Sequence, residues 1–587
     1  MRKTTFILFA TLSLVSNAQF SSFNWHIADG GIGADRSAAL ATDAHGNVYS
    51  ANSFVTAAGF NSLTLTGAAK GSGANADNNL LVTKTTANKS TLWHVQSNDG
   101  AVTPTAIAVN NNNVYVTGSM RAIVNTANQT NSARIIDANN NNHSFSGLGS
   151  TSATTQAFLW KLNENGHTVW VKEFNSNNKT TAVTINNVAA DLDGNIVLTG
   201  SFVNSLIVPG NSTAYTSTSI AKAAFVSKID SNTGNEIWTV TSTGGMSSED
   251  ITALAIDNEG SIYCAGIFRN VSTPVNTNFG TITFTPSKDF SLVVMKIKSN
   301  GIVSYIQSFD NDKDTRVSCL VVDNQNIYIS GAFRGDGSGI AFTPALTSSA
   351  AFLNGYIASF NKMNGSAIWQ KTVSSTGITD AAVIALASDG KLYAFGAYAN
   401  KTGSSIAGEV GFGNNFSIAD TNPSNTSADL YLATYDPANG TTLHVQRVAS
   451  SSSWETANAI ASTASKLYLL GTSNSTSLNY GGTSNYVTKG GYDILMLAYN
   501  ILNPSTGNVQ NAAGNINLQY YAQSNALCIK NAKGHILQLF DIGGKVLLRT
   551  KIYEENQMVN LNIIPNGIII GHIMNDKENV FNFKIIR

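Results

Sequence analysis

Short apolar segments bounded by Asn, Asp and Gly recur along about the first 500 residues of the chain. One unit shows the pattern well: residues 236–240, 251–257, 261–268 and 291–297 are rich in β-branched and aromatic residues. These segments have the length expected of β-strands, and an Asn-Glu-Gly turn joins the second to the third. The pattern therefore predicts units of four short antiparallel strands.

A Tyr-x-x-Gly phrase marks the third segment of each unit. Its first residue is, in turn, Tyr49, Tyr115, Val197, Tyr263, Tyr328, Tyr393 and Tyr468. Six copies have Gly three residues later, and the first copy has Asn52 instead. A regular long spacing indicates one supersecondary unit used repeatedly. Seven units of four strands predict an all-β fold, a seven-bladed β-propeller over residues 19–502.

The first segment of each unit usually carries a large aromatic ring. The residues at this position are Trp25, Trp93, Trp170, Trp238, Tyr305, Trp369 and His444. If the apolar second segment is innermost in its blade, this aromatic segment becomes the outermost strand of the preceding blade. Residues 23–27 would then complete the last blade and close the ring, which leaves no open sheet edge.

The composition favours an extracellular β-rich protein. Only 12% of residues are charged, and Gly, Ser, Thr and Asn are abundant. The formal net charge is zero, so nothing electrostatic points to nucleic acid. Three cysteines are too few for a disulfide framework. Cys264 and Cys319 are expected to be buried free thiols, with a bridge between successive repeats as the alternative.

The N-terminus has the pattern of a secretory signal. Arg2 and Lys3 precede an apolar stretch over residues 6–15, and small residues stand before Gln19. The sequence therefore predicts a signal peptide over residues 1–18. No later stretch is apolar enough to span a bilayer, so the mature chain is expected to have no transmembrane span.

The repeat resembles the SBBP-type propeller repeats of secreted bacterial proteins. Residues 257–266 (Asp-Asn-Glu-Gly-Ser-Ile-Tyr-Cys-Ala-Gly) and 224–230 (Ala-Phe-Val-Ser-Lys-Ile-Asp) carry the likeness, which extends from about residue 20 to residue 502. The resemblance implies the propeller fold. It implies little about function, because propellers host many unrelated activities.

The period stops at a linker over residues 503–515, and a smaller β-sandwich domain is predicted over residues 516–587. This domain is similar to the C-terminal sorting domain of type IX secretion cargo in Bacteroidetes. The matching residues are Asp541, Gly543, Gly544, Lys545, Gly567 and Lys584. In this family an aromatic residue usually follows the Gly equivalent to Gly567, whereas this chain has Ile-Ile-Ile at residues 568–570. The resemblance implies export by the type IX secretion machinery, with release or attachment at the outer-membrane surface.

Two intervals exceed the regular period, residues 121–156 and 400–428. Both are polar and lie between the third and fourth segments of their units, so they are expected on the same side of the ring. Such insertions either build a binding surface or are plain polar loops.

An acidic residue stands 13 or 14 positions before the marker residue in five units. These residues are Asp35, Glu249, Asp314, Asp380 and Glu455. They are expected where the innermost strand begins, at one mouth of the channel. A ring of carboxylates there is a candidate site for a cation such as calcium or for a cationic ligand. The alternative, which we favour, is that each acid accepts backbone N–H bonds in a turn.

Other motifs point to no cofactor and no catalytic site. The Asp191–Asn195 turn resembles a calcium loop only superficially, because it lacks the downstream Glu of an EF-hand and occupies the turn common to every unit. No His-x-x-x-His pair, Gly-x-Ser-x-Gly elbow or phosphate-binding loop occurs.

Three functions remain open from the sequence. The first is a non-enzymatic binding or adhesion platform, secreted or on the cell surface, for a glycan or a protein. The second is an extracellular carbohydrate-active enzyme, a lyase or glycosidase, that uses carboxylates at the channel mouth. The third is a structural component of the cell envelope.

Overall fold

The computed structural model describes residues 21–586 with internal gaps. The gaps are residues 56, 68–77, 123–131, 218–221, 244–246, 271–275, 335–338, 344, 348–352, 375–378, 380–381, 400–408, 415, 420–426, 452–453, 475–477, 481–483, 487, 502–516, 522–525, 542–543, 555, 562–563, 565–567 and 576–578. The predicted signal peptide, residues 1–18, lies outside the described residues. The chain divides into two compact units: one is Phe23–Tyr499, and the other contains Asn500–Arg587.

The described residues are all-β, in many small antiparallel sheets. Their helical content is two short 3₁₀ turns, Ser152–Thr154 and Asn177–Lys179. In the part of the chain that the structure describes, no helix has the length and apolar character needed to cross a bilayer.

The larger unit contains seven sets of four strands, here called repeats 1–7, among its described residues. Within each repeat the hydrogen-bonded order is inner, second, third, outer. The inner strands are Arg36–Thr42, Ala101–Asn110, Val183–Ala190, Ser248–Ile256, Thr315–Val322, Val383–Leu386 and Glu455–Ser462. The second strands are Val48–Phe54, Asn113–Arg121, Ile196–Val203, Ile262–Arg269, Asn326–Arg334, Leu392–Ala399 and Lys466–Ser473.

The remaining two strands complete each repeat. The third strands are Asn79–Thr85, Gln156–Leu162, Lys222–Ile229, Phe290–Ile297, Leu353–Asn361, Ala428–Tyr435 and Asp493–Ile501. The outer strands are Thr91–Asp99, Thr168–Phe174, Glu236–Thr241, Val303–Asn311, Ala367–Val373, Thr442–Ser451 and, in repeat 7, Ser21–Asp29. The second and third strands are almost wholly buried, which is why they are continuous apolar runs.

The glycine of the repeated phrase lies opposite a bulge in the inner strand. In five repeats the pairing of inner and second strands shifts by one residue opposite this glycine, and repeat 1 has the same shift opposite Asn52. The bulge brings the inner-strand backbone close to the glycine. A Cβ at Gly200 would lie 2.0 Å from the Thr184 carbonyl oxygen, and one at Gly331 would lie 2.0 Å from that of Arg316. A side chain would therefore displace the backbone.

A strand from the N-terminal end completes the sheet of repeat 7, and the inner strands of repeats 1 and 7 are in contact. Ser21–Asp29, from the N-terminal end, lies beside Asp493–Ile501 as the outer strand of repeat 7, as the aromatic pattern predicts. The Ser37 hydroxyl of repeat 1 lies 2.9 Å from that of Thr472 in repeat 7. Inner strands of consecutive repeats also lie against one another, and the inner strand of repeat 7 lies against that of repeat 1.

A further two-stranded hairpin lies between the second and third strands of every repeat; we call it the side hairpin. The seven side hairpins are Ala57–Phe60 with Leu63–Thr66, Ser132–Ile136 with Asn142–Ser146, Ser205–Leu206 with Tyr215–Thr216, Thr277–Phe279 with Ile282–Phe284, Gly339–Ile340 with Leu346–Thr347, Glu409–Gly411 with Ser417–Ala419, and Leu478–Tyr480 with Ser484–Tyr486. The sequence predicts four strands per unit, so these hairpins are an addition that the structure reveals.

Each side hairpin bonds to the end of the preceding repeat's outer strand. The bridging pairs are Gly31 with Ala58, Ile135 with Ser97, Asn175 with Ile207, Ser242 with Phe279, Asp310 with Ala341, Ser374 with Gly411, and Ala449 with Tyr480. The side hairpins therefore link every repeat to its neighbour at the side where the outer strands end. We call this side, where the inner strands also begin, the side-hairpin face.

The smaller unit contains a three-stranded and a four-stranded sheet in its described residues. The first comprises Asn517–Tyr521, Ala526–Lys530 and Asn556–Asn560; the second comprises Val546–Lys551, Ile536–Phe540, Ile568–Met574 and Asn579–Ile586. Apolar residues of both sheets, among them Ile529, Leu539 and Ile569, form one buried cluster. The unit thus has its own hydrophobic core.

Candidate functional site

The acidic residues predicted at the channel mouth do not form one open ring. Asp35, Glu249 and Glu455 are each 0% exposed, so they are buried inside the repeats. Asp314 is partly exposed and lies 2.9 Å from the Arg316 guanidinium. Asp380 lies outside the described residues.

The strand register also shows that Asp314 is not equivalent to Glu249 and Glu455. Glu249 pairs with Phe268 and Glu455 with Ser473, both five residues after the marker Tyr. In repeat 5 the residue at this position is Thr315, which pairs with Phe333, so Asp314 is one residue out of register. In repeat 6 it is Thr379, which bridges Tyr398. Counting back from the marker residue does not reveal this offset, because the turn between the inner and second strands differs in length between repeats.

The hydrogen bonds of the buried acids are internal to the repeats. Asp35 accepts N–H bonds from Gly31 at 2.6 Å and from Val55 at 2.9 Å. The Thr277 hydroxyl of a side hairpin donates to Glu249 at 3.0 Å, and Ser473 donates to Glu455 at 3.0 Å. Each carboxylate therefore fastens a loop or strand of its own repeat, as expected for an acid in a turn.

Asp35 lies near two further carboxylates at the junction of repeats 7 and 1. A Cβ at Gly30 would lie 2.9 Å from one Asp35 oxygen and 2.2 Å from one Asp493 oxygen. Burial raises the pKa of Asp35 to about 6, with smaller contributions from Asp493 and Asp29. Burial also raises the pKa of Asp493. Asp493 could have been found by aligning the third strands, because Asn79, Asn354 and Asp429 stand at the same position.

The acidic turn between inner and second strands has a structural role. In four repeats the marker Tyr donates its hydroxyl to this Asp at 2.8–3.0 Å, for example Tyr263 to Asp257. In repeat 3, where Val197 replaces the Tyr, the Lys228 ammonium lies 2.6 Å from Asp191. Among the described residues, no three His, Cys, Asp or Glu side chains are grouped so that they could hold a metal ion.

The two cysteines whose side chains are described are free thiols. Cys264 is buried, and Cys319 donates its S–H to the Ile384 carbonyl at 3.4 Å. Burial raises the pKa of both thiols, so neither is a reactive thiolate at neutral pH.

The two long insertions contain the side hairpins of repeats 2 and 6. In repeat 2, Ile135 and Phe145 of this hairpin are buried, and the hairpin extends the sheet of repeat 1. In repeat 6, Val410 and Phe412 are buried likewise. The described parts of these insertions are therefore packed structure. Residues 123–131, 400–408 and 420–426 of the insertions lie outside the described residues.

A small polar cavity of about 80 Å³ lies between repeats 1 and 2 on the side-hairpin face. Its polar lining residues are Asn78, Thr103, Ser119, Arg121 and Thr155. Arg121 ends the second strand of repeat 2, and its guanidinium donates to the Ser150 carbonyl at 3.1 Å. Sequence reasoning did not single out this group, because the lining residues come from four separate segments.

The arginines of the larger unit share one side. Between residues 23 and 499 there are seven, and all lie at the starts of inner strands, at the ends of second strands, in a side hairpin or toward the end of an outer strand. They are Arg36, Arg121, Arg134, Arg269, Arg316, Arg334 and Arg447. The side-hairpin face is therefore the arginine-bearing face.

The predicted sorting residues lie in and around the four-stranded sheet. The Asp541 carboxylate accepts the Lys545 N–H at 2.9 Å, and Gly544 has a φ of +82° that suits glycine. Lys584 pairs with Ile570 in the closing strand. Gly543 and Gly567 lie outside the described residues.

Comparison with known proteins finds a distant likeness in fold. No family model and no curated protein matches the chain. Solved structures of β-propeller type are similar over most of it. One is the phage phi92 endosialidase, 10% identical, with 97% of this chain and 88% of that chain covered at a TM-score of 0.35.

A second similar structure is PorZ of Porphyromonas gingivalis, described as an essential surface component of the type-IX secretion system. It is 10% identical, with 95% of this chain and 75% of that chain covered and a TM-score of 0.28. The quinohemoprotein alcohol dehydrogenase of Comamonas testosteroni is 10% identical, with 85% of this chain and 79% of that chain covered and a TM-score of 0.37. Likenesses at this level carry no argument about function.

Proposed function

We propose that the seven repeats are the blades of a closed, seven-bladed β-propeller. The support is that one kind of contact recurs at every junction between repeats, including the junction of repeat 7 with repeat 1. The pairing of Ser21–Asp29 with Asp493–Ile501 supports closure by a strand from the N-terminal end. A ring closed in this way exposes few sheet edges.

On this fold we propose a non-enzymatic binding or adhesion platform for a glycan or protein. The observation that carries it is the bonding of every side hairpin to the preceding repeat, which would hold the loops of the side-hairpin face in fixed positions. The enzymatic alternative depends on the acids of the channel mouth. Three of these are buried in contacts within their own repeats, which favours binding over catalysis.

For the smaller unit we propose a β-sandwich sorting domain recognised by type IX secretion machinery. Two sheets that share one buried cluster support a sandwich. The Asp541–Lys545 turn and the closing strand Asn579–Ile586 carry the matching residues. Together with the predicted signal peptide at residues 1–18, this module makes the protein a secreted or outer-membrane surface protein.

A polysaccharide screen on the mature chain tests the platform, scoring binding and product release together. The proposal predicts retention by at least one polysaccharide without release of oligosaccharide. Released oligosaccharide would contradict it and favour the enzyme. Deleting residues 516–587 separately tests the sorting domain: the truncated protein should stay in the periplasm of a type IX-competent host, and its arrival at the cell surface would contradict the assignment.

A further inference from the structure

We propose that the side-hairpin face binds an acidic polysaccharide, one that carries carboxylate or sulfate groups, with Arg121 and its cavity receiving one such group. This inference rests on the proposed platform function and names its ligand class. Its argument starts from the distribution of cationic side chains over the two faces of the larger unit.

Three lysines of the opposite face, Lys161, Lys228 and Lys362, are engaged in contacts between neighbouring strands and repeats. Lys228 and Lys362 pair with Asp191 and Asp257 at 2.6 and 2.9 Å, with all four side chains almost fully buried. Lys161 donates to the Ser231 carbonyl of the next repeat at 2.7 Å. These ammonium groups stabilise the junctions and are not presented to a ligand.

The arginines of the side-hairpin face are presented differently. Arg36, Arg269 and Arg334 are exposed, and Arg316 is exposed but pairs with Asp314 at 2.9 Å. The guanidinium of Arg36 lies over the Tyr492 ring at 4.6 Å, and that of Arg269 lies over the Phe290 ring at 5.1 Å. Contact with an aromatic face orients a guanidinium without neutralising its charge. Guanidinium groups bind carboxylate and sulfate oxygens through paired N–H donors.

The carboxylates of the same face are largely occupied by internal contacts. Asp35, Glu249 and Glu455 are buried in hydrogen bonds within their repeats. Asp312 lies 3.1 Å from the Lys288 ammonium, and Asp29 pairs with Lys489. The exposed Arg36, Arg269 and Arg334 therefore supply accessible positive charge on this face, although the net charge of the whole chain is zero.

The shape of the cavity fits an anionic substituent. A volume of about 80 Å³ holds on the order of two or three waters, which suits a carboxylate or sulfate group rather than a whole sugar ring. The hydroxyl and amide groups of Asn78, Thr103 and Ser119 add hydrogen-bonding partners beside Arg121. The sugar ring would then lie outside the cavity, along the polar surface.

The absence of an apolar patch favours a polysaccharide over a protein partner. Protein interfaces depend on buried aromatic and aliphatic anchors. Among the described residues of the larger unit, the exposed large apolar side chains lie on the opposite half of the repeats, with Ile32 as the exception. Leu92, Val169, Ile237 and Ile368 all stand at the start of an outer strand.

Affinity electrophoresis of the mature full-length chain tests the inference with matched polymers. Polygalacturonate is compared with its fully methyl-esterified form, and dextran sulfate with dextran. We expect retardation by the charged member of at least one pair and not by its uncharged parent. Arg121→Gln should weaken the affinity about tenfold or more. Arg269→Gln with Arg334→Gln should weaken it several-fold and make it less dependent on salt.

The matched control changes two exposed lysines of the opposite face, Lys89→Gln with Lys298→Gln. It should leave the affinity unchanged, and circular dichroism checks that every variant is folded. Equal binding of charged and uncharged polymers would overturn the inference and leave the platform function standing. Equal loss in the lysine control, or equal retardation by a DNA oligomer, would indicate non-specific ion exchange and also overturn it.

Discussion

In six of the seven repeats the ring of the outer strand links its repeat to the next one. Its ring N–H or O–H donates to a carbonyl in the turn between the third and outer strands of the following repeat. The pairs are Trp25 with Ala87, Trp93 with Glu164, Trp170 with Ser231, Trp238 with Ser299, Tyr305 with Lys362 and Trp369 with Pro437. The sequence shows the ring but not its partner, which lies about sixty to seventy residues away.

The one exception, His444, has a topological reason. Its repeat precedes repeat 7, whose third and outer strands come from opposite ends of the unit and share no connecting turn. In the other repeats a carbonyl of this turn accepts the ring N–H or O–H, and repeat 7 has no such turn. Trp25, in the closing strand, does have its acceptor in repeat 1 at 2.9 Å.

Replacing Trp369 with Phe should weaken the junction of repeats 5 and 6. The change removes the N–H bond to the Pro437 carbonyl at 2.9 Å and part of a ring that packs on Gly440. We expect a loss of about 1–2 kcal/mol in the free energy of unfolding, measured by denaturant titration. His444→Phe is the control and should change it less. Equal losses would contradict the specific role of the Trp N–H.

The carboxylates at the closing junction predict a dependence of stability on pH. The pKa of Asp35 is raised to about 6, above its ordinary value, so the folded state favours the protonated form. Protonated Asp35 therefore contributes fully to the stability of the folded state at low pH. This contribution is lost as the pH rises from about 4 through about 6. The free energy of unfolding should therefore fall over this window, by about 3 kcal/mol at most. A rise over the same window would contradict the account.

Replacing Asp493 with Asn should reduce this dependence. The change removes one of the two carboxylates that lie beside Gly30, and the Asn oxygen can keep accepting from Tyr486 and the Lys489 backbone. We expect a gain of about 1 kcal/mol at pH 8 and a flatter pH profile, by thermal unfolding. The exposed Asp193→Asn is the control. Destabilisation of Asp493→Asn at every pH would refute this view of the pair.

At the scale of elements, the four strands of each repeat follow directly from the sequence, whereas the side hairpins do not. The second and third strands are long and apolar because they are buried on both faces. Several side-hairpin strands have only two or three residues, such as Ser205–Leu206 and Gly339–Ile340. Segments so short carry no periodicity, and they are fixed by contacts with the preceding repeat rather than by local pattern.

The side hairpin of repeat 2 should contribute to stability like a core element. Phe145 is 0% exposed and its ring centroid lies 5.9 Å from that of Phe158. We expect Phe145→Ala to lower the free energy of unfolding by about 3–5 kcal/mol, measured by denaturant titration. The exposed Ser144→Ala in the same hairpin should have little effect. Normal stability of Phe145→Ala would mean that the insertion is a plain surface loop.

At the scale of the whole molecule, the sequence predicts the number of repeats and the closing strand. It does not predict that the arginines share the side-hairpin face or which acidic residues occupy equivalent strand positions. Repeat number and closure follow from a periodic pattern and from its two ends. The positions of Asp35, Asp493 and Arg121 relative to each other depend on turn lengths and on neighbouring repeats, which no local pattern contains.

Closure of the seven repeats is the central claim, and an engineered disulfide tests it most directly. The hydroxyls of Ser37 and Thr472 lie 2.9 Å apart although 435 residues separate them. In the double variant Ser37→Cys/Thr472→Cys, we expect oxidation to link the two peptides, detected by mass spectrometry. The pair Ser37→Cys/Ser330→Cys, in repeats that are not neighbours, should stay reduced. Failure of the first pair to link faster than the second would contradict a closed ring.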